Sequence, residues 1–158
     1  MFNFQEIHQA YLKCRKTKRN TANALKYEMD SLTNICNLET SLNDKTYTPK
    51  RSVCFLTTSP KLREVFAADF SDRVVHHLVV PVLEQVYEPL FIYDSYSCRK
   101  NKGIHYAMKR AQKFSKSSKY YLQLDIKNFF YTIDKRILFN MLNKQLVKDY
   151  NNKVTMTT

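Results

Sequence analysis

The chain contains a single glycine, Gly103, among its 158 residues. Glycine supplies the unusual turns and the close approach of backbone to phosphate on which several catalytic loops depend. A Walker phosphate loop, a dinucleotide-binding fingerprint and a nucleophile elbow each need two or more glycines at fixed positions. The sequence therefore excludes the three enzyme classes that are built on those loops.

Composition indicates one folded domain. Hydrophobic residues make up 44% of the chain and charged residues 25%, which is too apolar for a disordered protein and sufficient for a core. No apolar run approaches the roughly 18 residues of a membrane span, and the N-terminus lacks a signal-peptide pattern, so we expect a cytoplasmic protein and no membrane partner. Four cysteines without a Cys-x-x-Cys pair predict reduced, mostly buried thiols.

Positive charge is concentrated in one part of the chain. The formal net charge is +12, and the thirty residues between Asp94 and Asp125 contain no carboxylate. A solvated surface normally mixes both signs of charge. Aromatic side chains lie between these cations, and the combination can neutralise phosphates and stack on bases. We expect a polyanion, most simply nucleic acid, as partner; a merely soluble basic surface is the alternative. The cations are Arg99, Lys100, Lys102, Lys109, Arg110, Lys113, Lys116 and Lys119. A second basic run comprises Lys13, Arg15, Lys16, Lys18 and Arg19.

Apolar spacing and turn residues predict an α+β fold without internal repeats. Apolar residues at helical spacing predict helices, whereas clustered Thr, Val, Phe and Tyr between prolines predict strands. The predicted helices are 3–16, 21–43, 71–87, 103–116 and 135–148, the predicted strands 51–57, 62–67 and a buried 119–126, and 93–98 is expected to be extended.

Local residues refine these predictions. Asn20 or Thr21 is expected to cap the second helix, which should bury Leu25, Met29, Leu32 and Cys36. Asp69 or Ser71 should cap the next helix, which Pro81 should kink or break. The two short strands should meet at a turn through Ser59-Pro60. A turn or short helix is expected at 128–134.

Asp125 is the most informative acidic residue, because it ends the predicted strand 119–126 beside the basic segment. A carboxylate in that position is a natural ligand for Mg²⁺, which shares its hard oxygen ligands with substrate phosphates. From spacing alone, a helix cap or a turn residue is the commoner role for such an aspartate.

Three ordered blocks resemble bacterial reverse transcriptases: DRVVHH, DSY-x-CRK-x-KG-x-H and DIK-x-FF-x-x-ID. The resemblance runs from about Phe4 to Leu138 and is strongest to the enzymes of diversity-generating retroelements; retron and group II intron enzymes share the pattern more loosely. It implies a fingers subdomain at 1–118, made of helices and a short β-hairpin, and the start of the palm, its first strand and helix, at 119–149. Residues 150–158 are expected to form a loose tail.

The resemblance also implies roles for single residues. Asp125 corresponds to the first metal-binding, catalytic aspartate, with the Ile126 carbonyl beside it on the metal. Phe130 corresponds to the aromatic steric gate that favours deoxynucleotides. Lys61 and Arg63 correspond to the residues that hold the incoming triphosphate. Further residues implied or expected to bind substrate are Arg99 near the nucleotide, and Arg73, Lys100, Lys102, Lys109, Arg110 and Lys113 on nucleic acid. For Arg73 and for His77, a packing or salt-bridge role, with Asp69 or Asp72, is an equal alternative; Asp134 is expected to cap the helix at 135.

The family's Tyr-x-Asp-Asp turn has no counterpart, because the chain contains no Asp-Asp pair. A frameshift, an early stop or the choice of a fragment boundary would each produce this pattern. Three hypotheses follow: part of an RNA-directed DNA polymerase, inactive alone; a stand-alone basic RNA- or DNA-binding module; or a relic whose uncovered palm surface favours self-association. The resemblance implies Mg²⁺ as cofactor, and template RNA, cDNA or primer, deoxynucleoside triphosphates and a small basic accessory protein as partners.

Overall fold

The computed structural model describes residues 1–16, 18, 20–59 and 61–155, with side chains described as far as residue 151. It confirms the α+β class, with helices and one two-stranded antiparallel sheet. The chain forms two compact units, Met1–Leu83 and Glu84–Thr158. The elements are α1 Phe4–Arg15, α2 Ala22–Met29, α3 Ser31–Asn43, β1 Val53–Thr57, β2 Arg63–Ala67, α4 Phe70–Tyr87, a 3-10 turn Glu88–Leu90, α5 Ile104–Ser115, α6 Phe129–Thr132 and α7 Lys135–Thr155.

Unit 1 is organised around α1, whose predicted bounds are confirmed within one residue. Asn3 and Glu6 form a reciprocal capping box, each side chain accepting from the other residue's backbone N–H at 2.9–3.0 Å. Tyr11 of α1 packs with Tyr27 of α2 and Phe70 of α4, with ring centroids 5.0–6.2 Å apart. The core around this aromatic trio contains Ile7, Ala10, Cys14, Ala24, Ile35, Leu38, Val74 and Leu78.

The predicted helix 21–43 is two helices, because the backbone at Asp30 leaves helical geometry (φ −122°, ψ 38°). The expected buried face was wrong: Met29 is 82% exposed, and Leu25, Leu32 and Cys36 are exposed as well. The core side of α2 is instead formed by small Ala24 and by Tyr27. In α2, the face that carries the largest aliphatic residues is therefore not the face that packs against the core.

The β-hairpin forms almost where the sequence predicts it. Val53 pairs with Ala67 at one end of the ladder and Thr57 with Arg63 at the other. Of the predicted turn, Ser59 is a bend and Pro60 lies outside the described residues. Val53, Phe55, Leu56 and Phe66 remain largely exposed, so this hairpin contributes little to the core of unit 1.

The helix that follows the hairpin is capped as expected. The Asp69 carboxylate accepts from the Ser71 N–H at 3.0 Å and from the Ser71 hydroxyl at 2.7 Å. Pro81 lies inside α4, which continues to Tyr87 and does not break there. Of the two outcomes predicted for Pro81, a kink or a break, the break does not occur.

Unit 2 differs more from the predictions. Residues 119–126 form no strand within the described chain, and they are exposed rather than buried, with Tyr121 91% exposed. A strand needs a hydrogen-bonded neighbour, and β1 and β2 pair only with each other among the described residues. Turns at 93–94 and 97–98 interrupt the segment that was expected to be extended, and Cys98 has φ 56°.

The last helix, α7, reaches Thr155 instead of residue 148, so the expected loose tail is helical over most of its length, and 156–158 lie outside the described residues. The segment 135–155 contains neither glycine nor proline, the two residues that most strongly stop a helix. All four cysteines are free, as predicted, but only Cys14 is buried. Burial raises the pKa of the Cys14 thiol.

Candidate nucleic-acid interface

Arg99 holds the turn that precedes the basic helix. Its Nε donates to the Glu88 carboxylate at 2.9 Å, and its terminal nitrogens donate to the carbonyl oxygens of Glu88, Ile92 and Ser95 at 2.9–3.3 Å. The guanidinium also lies 5.3 Å from the centroid of the Phe91 ring. The Arg99 side chain is only 10% exposed. Its hydrogen bonds to Glu88, Ile92 and Ser95 hold the segment 88–99 together.

Asp94 joins this segment to α5. Its carboxylate accepts from Nε of Arg110 at 2.9 Å, from a terminal nitrogen of Arg110 at 3.4 Å, and from the Tyr96 hydroxyl at 2.5 Å. The hydrogen bond from Arg110, followed by that from Tyr96, lowers the pKa of Asp94. In return, the pKa of Arg110 is raised by Asp94, and burial and then Asp94 raise the pKa of Tyr96 to about 12. Two-point contact between guanidinium and carboxylate fixes orientation as well as distance.

Aromatic rings surround the same ion pair. Tyr93 lies beneath two cations, with Nζ of Lys102 4.3 Å and the Arg110 guanidinium 5.5 Å from its ring centroid. Arg110 also lies 4.6 Å from the Phe114 ring, and the hydroxyls of Tyr93 and Tyr106 are 2.8 Å apart. These contacts use the side of α5 that carries residues 106, 110 and 114, which are spaced by one helical turn. Cation–π contacts of this kind add to the attraction of the ion pair.

A second face of α5 remains open to solvent. His105, Lys109 and Lys113 recur every four residues, so they form one row along the helix, and all three are exposed. Consecutive members of the row are separated by about 6 Å along the helix axis. The predicted nucleic-acid-binding residue Lys100, just before α5, is exposed as well. Exposed lysines in a segment without carboxylates can contact successive phosphates, and an imidazole N–H can donate a hydrogen bond to one.

The other predicted nucleic-acid residues are already engaged within the fold. Lys102 donates to the Tyr93 carbonyl oxygen in addition to facing its ring, and Arg110 is paired with Asp94. Arg73 donates from Nε to the Ala68 carbonyl oxygen at 3.1 Å. The basic helix thus presents Lys109 and Lys113 outward, while Lys102 and Arg110 anchor it.

Neither acidic partner suggested for Arg73 forms an ion pair with it among the described residues. An oxygen of the Asp69 carboxylate lies 3.5 Å from Nζ of Lys50. The Asp72 carboxylate, 4% exposed, accepts from the Tyr47 hydroxyl and from the backbone N–H of Lys50, the latter at 3.0 Å. Burial and then the Asp72 hydrogen bond raise the pKa of Tyr47. Arg73 is instead packed 5.9 Å from the Phe70 ring centroid, in accord with the packing alternative.

The second basic run is also partly neutralised. Arg15 forms an ion pair with Glu28, and that hydrogen bond raises the pKa of Arg15. Lys13 and Lys16 are exposed, whereas Arg19 lies outside the described residues. Among its described residues, this run thus presents Lys13, Lys16 and Lys18 to solvent, while Arg15 is engaged in the ion pair.

The residues that the resemblance assigns to nucleotide chemistry lie in different units. Lys61 and Arg63 are exposed at the hairpin of unit 1, with Arg63 opening β2. Asp125 is exposed on irregular backbone in unit 2, followed by an exposed Ile126, and Phe130, 87% exposed, lies on α6. Within each unit these side chains are accessible to a ligand.

The acidic side chains do not form a metal site by themselves. No group of three or more His, Cys, Asp or Glu that could hold a metal ion occurs in the described part of the chain. Asp134, as predicted, caps α7 by accepting from the N–H groups of Arg136 and Ile137 at 2.8 and 3.1 Å. Asp125 alone therefore does not fit the ligand set that Mg²⁺ requires, which draws on several oxygen ligands.

Sequence reasoning missed the contact between Asp94 and Arg110, because sixteen residues separate them. The available signal was the spacing of Tyr106, Arg110 and Phe114 at intervals of four, which places a cation between two aromatic residues on one side of α5. It also missed the burial of Asp72, because the residue that donates to it, Tyr47, lies 25 residues earlier in the chain.

Comparisons with known proteins give one kind of relative. No family model matches the chain. The chain is similar to the group II intron-encoded protein LtrA of Lactococcus lactis subsp. cremoris and to the protein of that name in strain MG1363, with 29% identity over 109 residues in each case. The match covers 67% of this chain but only 18% of the length of the relatives. It agrees with the looser resemblance to group II intron enzymes and does not support the diversity-generating subgroup.

No helix in the described ranges combines the length and apolar character needed to cross a bilayer.

Proposed function

We propose that this chain supplies the fingers and the beginning of the palm of an RNA-directed DNA polymerase, and that α5 binds the phosphate backbone of template or primer. The observation that carries the proposal is the exposed row His105, Lys109 and Lys113, which lies in a segment of thirty residues without a carboxylate. Similarity to an intron-encoded protein supports a reverse-transcriptase-like region. The closer motif resemblance to diversity-generating retroelements, with an accessory protein as partner, and a cytoplasmic location remain predictions.

The proposed nucleotide chemistry involves four accessible residues. Lys61 and Arg63 would bind the negative charge of a deoxynucleoside triphosphate, Phe130 would exclude a ribose 2′-hydroxyl, and Asp125 would contribute one carboxylate to the catalytic centre. Phosphoryl transfer by two metals needs several carboxylates, and the described residues contain no group of three or more His, Cys, Asp or Glu that could hold a metal ion. We propose that magnesium binding and polymerisation require carboxylates from a longer chain or a complementing one, and that these residues alone do not extend a primer.

A stand-alone RNA- or DNA-binding module is the second candidate. It is favoured because the described residues contain no group of three or more His, Cys, Asp or Glu with which Asp125 could hold a metal ion. The two candidates share the α5 interface and differ in whether Asp125 matters. Asp125→Asn should leave binding of an RNA–DNA hybrid unchanged in both cases, but it should abolish primer extension only where the chain participates in catalysis.

Two measurements test the proposal. Fluorescence anisotropy with a labelled RNA–DNA hybrid should show binding whose log K falls linearly with log salt, with a slope of about 0.7–0.9 per phosphate neutralised. Sequencing of the source DNA beyond the codon for Thr158 should then reveal Tyr-x-Asp-Asp codons in the same or another frame. Binding with no salt dependence would contradict the interface, and absence of those codons would favour the stand-alone module.

A further inference from the structure

The carboxylate of Asp94 lies next to a part of the chain whose charged side chains are otherwise all positive. It is the last acidic residue before thirty residues that carry only positive charge, and it contacts Arg110 at the middle of the basic helix. In a surface that attracts phosphates, a carboxylate subtracts one favourable charge. Its presence at this point therefore calls for a role other than charge.

The two faces of α5 indicate that role. Tyr106 and Arg110 face the segment 88–99 through the hydroxyl contact with Tyr93 and the ion pair with Asp94, and Phe114 packs against Arg110 from within α5. Lys109 and Lys113 make no such contact and are exposed. A helix bound along one side cannot rotate about its axis without breaking those contacts. The orientation of the exposed row is thus determined by the side that carries Arg110.

Asp94 has the geometry to hold that side. Its two oxygens accept from two nitrogens of one guanidinium, and Tyr96 donates a third hydrogen bond to it. Isolated exposed ion pairs contribute little to stability, but two-point geometry within a network is the exception. Arg99 adds rigidity, because it holds the turn on which Asp94 is carried.

We propose that Asp94 is a positioning residue for nucleic-acid binding: through Arg110 it fixes the rotation of α5 so that His105, Lys109 and Lys113 contact phosphates together. This inference rests on the proposed function of α5. Removal of Asp94 then has two opposed consequences. It removes one negative charge, which by itself tightens binding to a polyanion. It also frees α5 to rotate, which weakens binding.

The sign of the effect distinguishes positioning from charge. We expect Asp94→Asn to weaken binding of a short labelled RNA–DNA hybrid about five- to eightfold at 0.1 M salt, the factor for one lost phosphate contact, and to lower the salt slope by about 0.7–0.9. Glu84→Gln is the matched control, since Glu84 is exposed, lies in the same unit and forms no ion pair in the described chain. It should leave the slope unchanged and binding equal or slightly tighter.

Two further variants separate positioning from loss of folding. Arg110→Lys keeps the charge but loses the two-point geometry, so it should weaken binding in the same way as Asp94→Asn. Asp94→Glu keeps a carboxylate that reaches Arg110 and should restore binding to within about twofold of the parent. Both proteins should retain the parent's circular dichroism spectrum.

The proposal is overturned if Asp94→Asn binds as tightly as Glu84→Gln, or if Arg110→Lys binds like the parent protein. Failure of this positioning role is distinguishable from failure of the proposed function. If Lys109→Ala with Lys113→Ala also leaves binding unchanged, the interface itself is wrong; if that double variant weakens binding while Asp94→Asn does not, only the positioning role is refuted.

Discussion

Removal of Lys109 and Lys113 together tests the α5 interface most directly. Both side chains are exposed, neighbours on one face of a regular helix, and four residues apart, so alanine at both positions removes two cations while preserving the helix. We expect the double variant to bind a labelled RNA–DNA hybrid more weakly, because two phosphate contacts are lost.

The size of the effect follows from counterion release. Each contact changes log K by about 0.7–0.9 per decade of salt, so at 0.1 M salt it is worth a factor of roughly five to eight relative to 1 M. Two contacts therefore predict about 25- to 60-fold weaker binding at 0.1 M and a salt slope lower by about 1.4–1.8. At 1 M salt the variant and the parent protein should converge.

A double variant with the same charge elsewhere provides the control. Lys26 of α2 and Lys144 of α7 are exposed helical lysines, and alanine at both removes the same two charges. Anisotropy titrations at several salt concentrations should show a smaller loss and an unchanged slope for this control. Equal losses in the two double variants would refute a localised interface and leave only the net charge of +12 as the cause of binding.

Three further predictions concern the fold and its pH dependence. Ile35→Ala should lower the free energy of unfolding by about 2–5 kcal/mol, whereas Met29→Ala should change it by less than about 0.5 kcal/mol, as measured by urea denaturation; equal effects would contradict the observed core. Tyr47→Phe should cost about 1–3 kcal/mol by the same measurement, because Asp72 is buried and loses a donor, while Tyr120→Phe, at an exposed position, should cost nothing measurable. The lowered pKa of Asp94 means that its pair with Arg110 contributes fully above the ordinary value of 3.8 and is lost only as the pH falls through the lower folded value. An NMR titration of the Asp94 carboxyl should therefore show a midpoint below 3.8, and a midpoint at or above it would contradict the ion pair.

Features with a local cause were predictable from the sequence. The capping box of Asn3 and Glu6 fixes the start of α1 within the chain's first residues, and Asp134 caps α7 for the same reason. The two strands of the hairpin form almost where they were predicted, because they are close in sequence and each finds its partner nearby. Helix ends and hairpins depend on interactions that a short window of sequence contains.

Features that depend on distant partners were not predictable. Residues 119–126 have the composition of a buried strand, but a local pattern cannot supply the neighbouring strand that would cover Tyr121. The buried side of α2 was mistaken because core packing selected Ala24 over Leu25. At the interface, the sequence identified Lys109 and Arg110 as equivalent cations, and only the contact with Asp94 separates their roles.

The scarcity of glycine has a consequence for the unfolded chain. Glycine has the greatest conformational freedom when unfolded, so a chain with only Gly103 has less backbone entropy to lose on folding. Its left-handed turns must then be made by other residues, and Lys45, Cys98, Asn101 and Asn128 all have φ between 52° and 59°. Each costs roughly 1–2 kcal/mol in the folded state, less for the two asparagines. The chain therefore combines a restricted unfolded ensemble with local strain at its turns.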